Sequence, residues 1–390
     1  MDVQEVLTRG VDQILPSKEG LAHLMRQKKI TLYQGFDPSM PNLHLGNLVG
    51  LIKLGQFQKL GHKVIFLVGD FTGMIGDPSD KLATRKRLTR KEVLENAKAW
   101  KDQAGKVLDF SGPNPAEIKF NSKWNDKLTF RDLIEIASHF THQQLIERDM
   151  FQKRIKEGET IHFHELLYPI AQAIDSVEMN VDLEIGGTDQ IFNMLAGRTL
   201  IKAMKKKEKY VLATKLLVDK EGNKVGKTTG NALFLDLPPD KFYAGVMAFP
   251  DEAIAPGFEL LTEVDMEGLE ERVTKNPMGQ KKLLAFEVVK LLWGKAAAEK
   301  ARSEFEKVFQ KKDLPSDITT IYIKEERLPL LDLVFATKGV SSRSDAKRLI
   351  AQSAVEVNES IMTDPNQEVE IGEEVVMRIG KTRFFKVKRK

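Results

Sequence analysis

Two short runs in this chain carry the residue types that handle phosphate: His44-Leu45-Gly46-Asn47 near the start, and Lys224-Val225-Gly226-Lys227-Thr228 far downstream. His44 and Asn47 are neutral hydrogen-bond donors, and Gly46 leaves room for a nucleotide to approach the backbone. If a helix begins there, its free backbone N–H groups and positive dipole end also favour an anion. Lys224 and Lys227 sit among the glycines of Asp219 to Asn231, a loop composition. Two lysines on such a loop can close over a triphosphate and stabilise the charge that grows on phosphoryl oxygens during transfer. A third group, Tyr168, Gln172 and Asp175, is spaced so that a helix would carry a phenol, an amide and a carboxylate on one face. That is a lining for a polar pocket. Taken singly, each group also has an ordinary reading: a helix start with an incidental histidine, an exposed basic hairpin, an amphipathic boundary helix.

The elements around these runs decide between the readings. Thr31 to Phe36 reads as a strand, Asp37-Pro38-Ser39-Met40-Pro41 as a turn, and His44 to Leu60 as a helix with Leu48, Leu51 and Ile52 on one face. Val64-Ile65-Phe66-Leu67-Val68 is the continuous apolar run of a strand buried on both faces of a parallel sheet. Strand, helix, strand at this spacing is a βαβ unit, so the fold class is α/β with a doubly wound, Rossmann-like parallel sheet. In such sheets ligands sit beyond the carboxyl ends of the strands. The pattern continues with a helix over Arg90 to Leu108, a strand at Glu117 to Phe120, helical sequence from about Leu128 to Lys156, and a helix over His164 to Asn180. A strand at Asp182 to Ile185, a helix over Thr188 to Lys205 and a strand at Tyr210 to Thr214 follow. Pro238-Pro239 opens a mostly helical region to Lys312, Leu314-Pro315-Ser316 and the stretch to Glu326 read as a linker, and Leu328 to Lys390 reads as a small module. The expected domains are 1–236, α/β with a helical insertion at about 125–160; 237–315, helical; and 327–390, small α+β.

The segment from Gly35-Phe36-Asp37-Pro38-Ser39 through Leu43-His44-Leu45-Gly46-Asn47 closely resembles the HIGH-type signature of class I aminoacyl-tRNA synthetases. Lys224 to Thr228 resembles their KMSKS signature, with Val225 where methionine is usual and Thr228 where serine is usual. The Tyr168, Gln172 and Asp175 group resembles tyrosyl-tRNA synthetases in particular. That resemblance implies ATP-dependent ligation of L-tyrosine to the 3′ end of tRNA(Tyr) through a tyrosyl-adenylate, with release of pyrophosphate and AMP. It implies that Tyr168, Gln172 and Asp77 hold the substrate ammonium, that Asp175 and Tyr33 meet its phenol, and that Gln190 serves its carboxyl side. Gly187 and Asp189 would lie at the ribose, and Gly35, Asp37, Ser39, Gly46 and Lys227 along the ATP and adenylate. Lys81 and Arg85 match a basic loop that meets pyrophosphate. His44, Asn47, Lys224, Lys227 and Thr228 complete the catalytic set.

The same resemblance makes 327–390 an S4-type RNA-binding module and 237–315 an anticodon-side domain, and it implies a homodimer with the insertion near the interface. In the tail, Ser342 or Ser344 can cap a helix that points Arg343, Lys347 and Arg348 at RNA phosphates. Two other readings of the scaffold are a tryptophanyl-tRNA synthetase and a non-catalytic RNA-binding factor. Asp175, Tyr33 and the S4-like tail weigh against the first, and the intact His44, Lys224 and Lys227 against the second.

Composition bounds the rest. The 390 residues are 42% hydrophobic and 30% charged, enough for two or three domains with real cores. There is no cysteine, so disulfides, zinc–thiolate sites and cysteine nucleophiles are excluded, in keeping with a reducing cytoplasm. The first residues read as neither a secretory signal nor a transit peptide, and no apolar run approaches the ~20 residues of a membrane helix. His162 with His164, and His139 with His142, lack the further ligands a metal site needs. Magnesium is expected to arrive with ATP, with no metal held by the protein itself. Net charge is only +4, but Lys202, Lys205, Lys206, Lys207 and Lys209 cluster, as do Lys381, Arg383, Lys386, Lys388, Arg389 and Lys390. Such clusters mark either a polyanion surface or a solvated face.

Overall fold

The structure is a computed structural model and describes residues 2–78, 87–219, 222, 224–226, 232–310, 318–358, 360–372, 374–380 and 383–389. The chain forms two compact units, Met1–Ala298 and Glu299–Lys390.

In the first unit a six-stranded sheet runs in the order β1-β6-β5-β2-β3-β4. Its strands are β1 (Val11–Leu15), β2 (Thr31–Phe36), β3 (Lys63–Val68), β4 (Glu117–Phe120), β5 (Leu183–Gly187) and β6 (Tyr210–Thr214). β2, β3, β4, β5 and β6 are parallel, and β1 alone runs antiparallel, against β6. The strand order reverses between β2 and β5, the switch point at which a crevice opens over the carboxyl ends. β3 is buried along Val64–Val68, as its unbroken apolar run requires. Neither β1 nor the helix Lys18–Gln27 is among the elements expected from sequence, although the helix carries an apolar face with Leu21, Ala22 and Met25 buried. Val-Asp-Gln-Ile-Leu alternates poorly, and the ladder shifts register between Val11 and Gln13.

Two helices depart from their sequence reading. The helix Leu45–Lys59 is buried on almost every side from Leu48 to Phe57, not on one stripe, because it runs through the interior. Arg90 to Leu108 is two helices, Arg90–Ala97 and Trp100–Ala104. The break turns Trp100 inward, where its indole N–H donates to Pro41 O at 3.1 Å. The helices Phe163–Glu178 and Ile191–Lys205 pack together, and Phe151, Leu166, Ile170, Ile174, Leu200 and Ile201 share one core with residues of the preceding helical insertion.

In the second unit the strands are β7 (Thr319–Ile323), β8 (Arg327–Pro329), β9 (Val355–Val357), β10 (Ser360–Ile361), β11 (Glu368–Glu370), β12 (Val375–Ile379) and β13 (Arg383–Arg389). They form a sheet β10-β9-β12-β13-β7 and a ribbon β11-β8. β7 lies within the stretch expected as a linker up to Glu326; it is a strand there because it pairs in parallel with β13, a partner more than sixty residues away in sequence. The helices Leu330–Ala336 and Arg343–Ala351 close its core with Leu333, Val334, Leu349 and Ile350. Ser342, not Ser344, is the cap: its hydroxyl accepts from Asp345 N at 3.1 Å.

Candidate active site

A cavity of about 220 Å³ opens where β2 and β5 diverge. Tyr33, Gly35, Asp37 and Ser39 line it from β2 and the turn that follows, and His44, Gly46 and Asn47 from the next helix start. Tyr168, Gln172 and Asp175 face it from the helix Phe163–Glu178. Asp77, Gly187, Asp189, Gln190 and Lys224 complete the lining. Lys81, Arg85, Lys227 and Thr228 lie outside the described residues, as do Leu314, Pro315 and Ser316 of the expected linker and Lys381 and Lys390 of the terminal basic cluster.

His44 is the N-cap of the helix Leu45–Lys59. Its Nδ1 accepts from Gly46 N at 3.0 Å and Asn47 N at 3.4 Å, while Asn47 Oδ1 accepts from His44 N at 2.9 Å. An imidazole whose Nδ1 accepts must carry its proton on Nε2, so in the neutral ring Nε2–H is the donor. Gly46 has a local reason beyond nucleotide access: a Cβ there would lie 3.0 Å from His44 Cε1 and crowd the ring. The second run folds back onto the first. Leu45 N donates to Leu233 O at 2.8 Å and Leu235 N to Leu43 O at 2.8 Å. Gly226, at φ +73°, sits so close to Leu45 that a Cβ would meet its Cδ2 at 2.8 Å. Lys224 Nζ pairs with Asp189 Oδ2 at 2.6 Å.

The inner end of the cavity is a buried polar network. Asp175, 2% exposed, accepts from Trp124 Nε1 at 2.7 Å, Asn121 Nδ2 at 3.3 Å and Asn125 Nδ2 at 3.4 Å. Burial pushes its carboxyl well above the usual range against the pull of Trp124 and Asn121. Tyr168 donates to Asp37 Oδ2 at 2.7 Å, and Thr72 holds the other oxygen of Asp37 at 2.6 Å. Gln172 Nε2 donates to Glu184 Oε1 at 2.9 Å, and Gln190 Nε2 to Asp77 Oδ2 at 2.6 Å. Tyr33 exchanges a hydrogen bond with Ser176 Oγ at 3.0 Å. Burial first, then the nearby Glu184 and Asp175, push its phenol well above its ordinary value, so it keeps its proton.

Residues 25–310 match the family model described as tRNA synthetases class I (W and Y), and residues 328–375 match the S4 domain. A tyrosine–tRNA ligase of Thermotoga maritima is 40% identical over 390 residues, spanning 98% of this chain and 96% of its own length. The chain belongs to the tyrosyl-tRNA synthetase family. A tyrosine–tRNA ligase of Aquifex aeolicus is 39% identical over 384 residues, covering 98% of this chain and 97% of its own. In fold this chain is similar to a C-terminally truncated mitochondrial tyrosyl-tRNA synthetase of Aspergillus nidulans, with TM-score 0.68 at 21% identity over 79% of this chain and 94% of that one.

Several residues around this cavity carried no sequence signal. Trp124, Asn121 and Asn125 lie in the stretch after β4 and become neighbours of Asp175 only through the fold. Arg148 is buried beside the same region, stacked near Phe192 and in the field of Asp77, Tyr168 and Asp189. Glu184 alternates correctly for a strand, but a charged residue 1% exposed in a central parallel strand needs a partner that sequence does not name. That partner is Lys209. Composition grouped Lys209 with a surface lysine cluster, whereas it is 0% exposed. Among the described residues no group of three or more His, Cys, Asp or Glu side chains converges as for a metal. No helix among them is long and apolar enough to cross a membrane.

Proposed function

We propose that the chain ligates L-tyrosine to the 3′ end of tRNA(Tyr) with ATP, by way of tyrosyl-adenylate, in the cytoplasm and as a homodimer. The observation that carries this reading is a single cavity lined at once by Asp175 and Tyr33, by Tyr168 and Gln172, and by His44 and Lys224. The phenol of the substrate meets Asp175 and Tyr33 at the buried end. Its ammonium meets Tyr168, Gln172 and Asp77, and Gln190 lies on its carboxyl side. The carboxylate is then directed at the α-phosphorus, and pyrophosphate leaves. Gly187 and Asp189 take the ribose, with Gly35, Asp37 and Ser39 along the adenylate.

The Nε2–H of His44, the Asn47 amide, the backbone at Gly46 and the Lys224 ammonium stabilise the charge growing on the phosphoryl oxygens. Lys81, Arg85, Lys227 and Thr228 are assigned to the same phosphates by sequence alone. No covalent enzyme intermediate is needed. Magnesium enters with ATP as part of the substrate, held by phosphates and water, and offsets phosphate charge. Internal bonds such as Lys224–Asp189 and Gln190–Asp77 then exchange for substrate groups.

The domain roles follow the same reading: 1–236 catalytic, 237–315 on the anticodon side, 327–390 RNA-binding. Phe130 (78% exposed), Ile134 (58%) and Phe163 (74%) present apolar surface on and beside the insertion, a face suited to a second copy. Pyrophosphate exchange into ATP, run with each amino acid in turn, tests the activity. Exchange with tyrosine is expected; exchange with tryptophan alone, or with none, rejects it.

In the tail, Arg343 and Arg348 are exposed and paired with Asp332 and Asp345 at 2.5 and 2.6 Å, bonds weak enough at a surface for phosphate to displace. Replacing Arg343, Lys347 and Arg348 together by glutamine is expected to raise the KM for tRNA about tenfold or more and to flatten its salt dependence. Tyrosine-dependent pyrophosphate exchange should stay as in the parent. An unchanged tRNA KM would remove these residues from the RNA contact.

A further inference from the structure

In the wall of the cavity lies an ion pair almost shut off from solvent, with Glu184 in the lining. Lys209 is 0% exposed and Glu184 1%, with Ser176 and Tyr33 beside them also at 0%. The Lys209 ammonium has three protons and three acceptors: Glu184 Oε2, Ser176 Oγ at 2.8 Å and Met194 O at 3.1 Å. The helix Ile191–Lys205 closes over the group at Gly197, where a Cβ would lie 2.6 Å from Lys209 Nζ and 2.7 Å from Ser176 Oγ. A buried pair of this kind adds little stability on average compared with an apolar pair of the same shape.

The pair touches both ends of the amino-acid pocket. Glu184 has only acceptors to offer, so Gln172 must turn its NH2 group toward Glu184 Oε1, which leaves its amide oxygen for the cavity. Lys209 has only donors, so Ser176 must accept from it and has one proton left to give. Tyr33 Oη at 3.0 Å is a better recipient of that proton than Glu184 Oε2 at 3.4 Å. The Tyr33 hydroxyl is also within reach of Glu184, and a carboxylate without its lysine would draw the phenol proton inward. With Lys209 occupying Glu184, the Tyr33 proton is left for the cavity.

We propose that Lys209 and Glu184 are positioning residues that set hydrogen-bond polarity in the tyrosine pocket: Lys209, through Ser176, makes Tyr33 a donor to the substrate phenol oxygen, and Glu184 makes Gln172 an acceptor for the substrate ammonium. A phenol hydroxyl then finds a donor in Tyr33 and an acceptor in Asp175. The inference rests on the tyrosine-pocket reading given above. Phenylalanine lacks the hydroxyl, so it reports on structural damage without sensing the phenol arm.

The test is pyrophosphate exchange with tyrosine and with phenylalanine. Ser176→Ala cuts the phenol arm and leaves the ion pair. It is expected to lower kcat/KM for tyrosine about tenfold, the scale of one hydrogen bond, with phenylalanine within about twofold. Lys209→Met with Glu184→Gln removes both charges at nearly constant volume. It is expected to raise the tyrosine KM and lower tyrosine-over-phenylalanine preference, each about tenfold, with the KM for ATP within about twofold. A folded double variant with parental tyrosine KM and preference overturns the proposal. So does Ser176→Ala with parental preference, which decides the matter if the double variant does not fold. Asp175→Asn separates the failures: if it too keeps the preference, the pocket reading is wrong, and if it alone loses it, only the polarity argument is.

Discussion

Asp175→Asn is expected to lower kcat/KM for tyrosine by about 10²-fold while leaving that for phenylalanine within a few-fold, as measured by amino-acid-dependent pyrophosphate exchange. The carboxylate has about four acceptor positions and spends three on Trp124, Asn121 and Asn125. Asp175 lines the cavity, so on the proposed reading the position that remains is the one a phenol uses. In the asparagine variant the amide oxygen stays with the closest donor, Trp124 Nε1 at 2.7 Å, and the NH2 group takes the place of Oδ2. That presents a donor where the substrate needs an acceptor. A site built to pair a hydroxyl rejects the analogue that lacks it because its own polar groups are then stranded, and tyrosyl-tRNA synthetases are the usual illustration. The variant should fold. Its partners Trp124, Asn121 and Asn125 are all neutral, so a neutral amide leaves no unpaired charge behind. A preserved preference for tyrosine would show that the phenol is recognised elsewhere.

How much of this was legible beforehand depends on whether a residue's partner is near in sequence. The helix start at His44 was readable because a cap, a glycine and a turn are local features, and the structure places His44 at that N-cap. The offsets of Tyr168, Gln172 and Asp175 were readable because a helix fixes them, and all three line one cavity. β3 announced its burial through five apolar residues in a row. Lys209 announced the opposite of its state. Its sequence neighbours Lys205, Lys206 and Lys207 suggested a surface, yet Lys209 immediately precedes β6 and its side chain runs inward to Glu184 on β5. Only strand pairing brings these two together, through the register Leu183 with Tyr210. Trp124 was invisible for the same reason, since it sits on the short helix Ser122–Asn125 after β4 and meets Asp175, 51 residues on, only through the fold. β1 was missed because an antiparallel edge strand with a shifted register lacks the alternation that reveals a strand.

His44→Asn is expected to slow adenylate formation by about 10²- to 10³-fold in single-turnover measurements, with the KM for tyrosine unchanged. Alanine would confuse two effects. The imidazole caps its own helix through Nδ1, and losing a cap costs about 1 kcal/mol of stability by itself. Asparagine is among the best capping residues, so it keeps the acceptor for Gly46 N and Asn47 N. What it loses is reach: an Nε2–H on the far side of a ring whose tautomer those two amides fix. The parental thermal midpoint should therefore persist while the rate falls. If the rate persists instead, His44 is a helix cap and nothing more. A fall in both rate and tyrosine affinity would place the damage in the inner pocket. The same logic extends to the second run. Gly226 packs on Leu45, and the backbone of Leu233 and Leu235 pairs with that of Leu45 and Leu43, so the loop bearing Lys224 is registered on the residues flanking His44. If both donors serve one phosphoryl group, as proposed, Lys224→Ala in the His44→Asn background costs less than Lys224→Ala alone, because donors that act as a unit have losses that do not add.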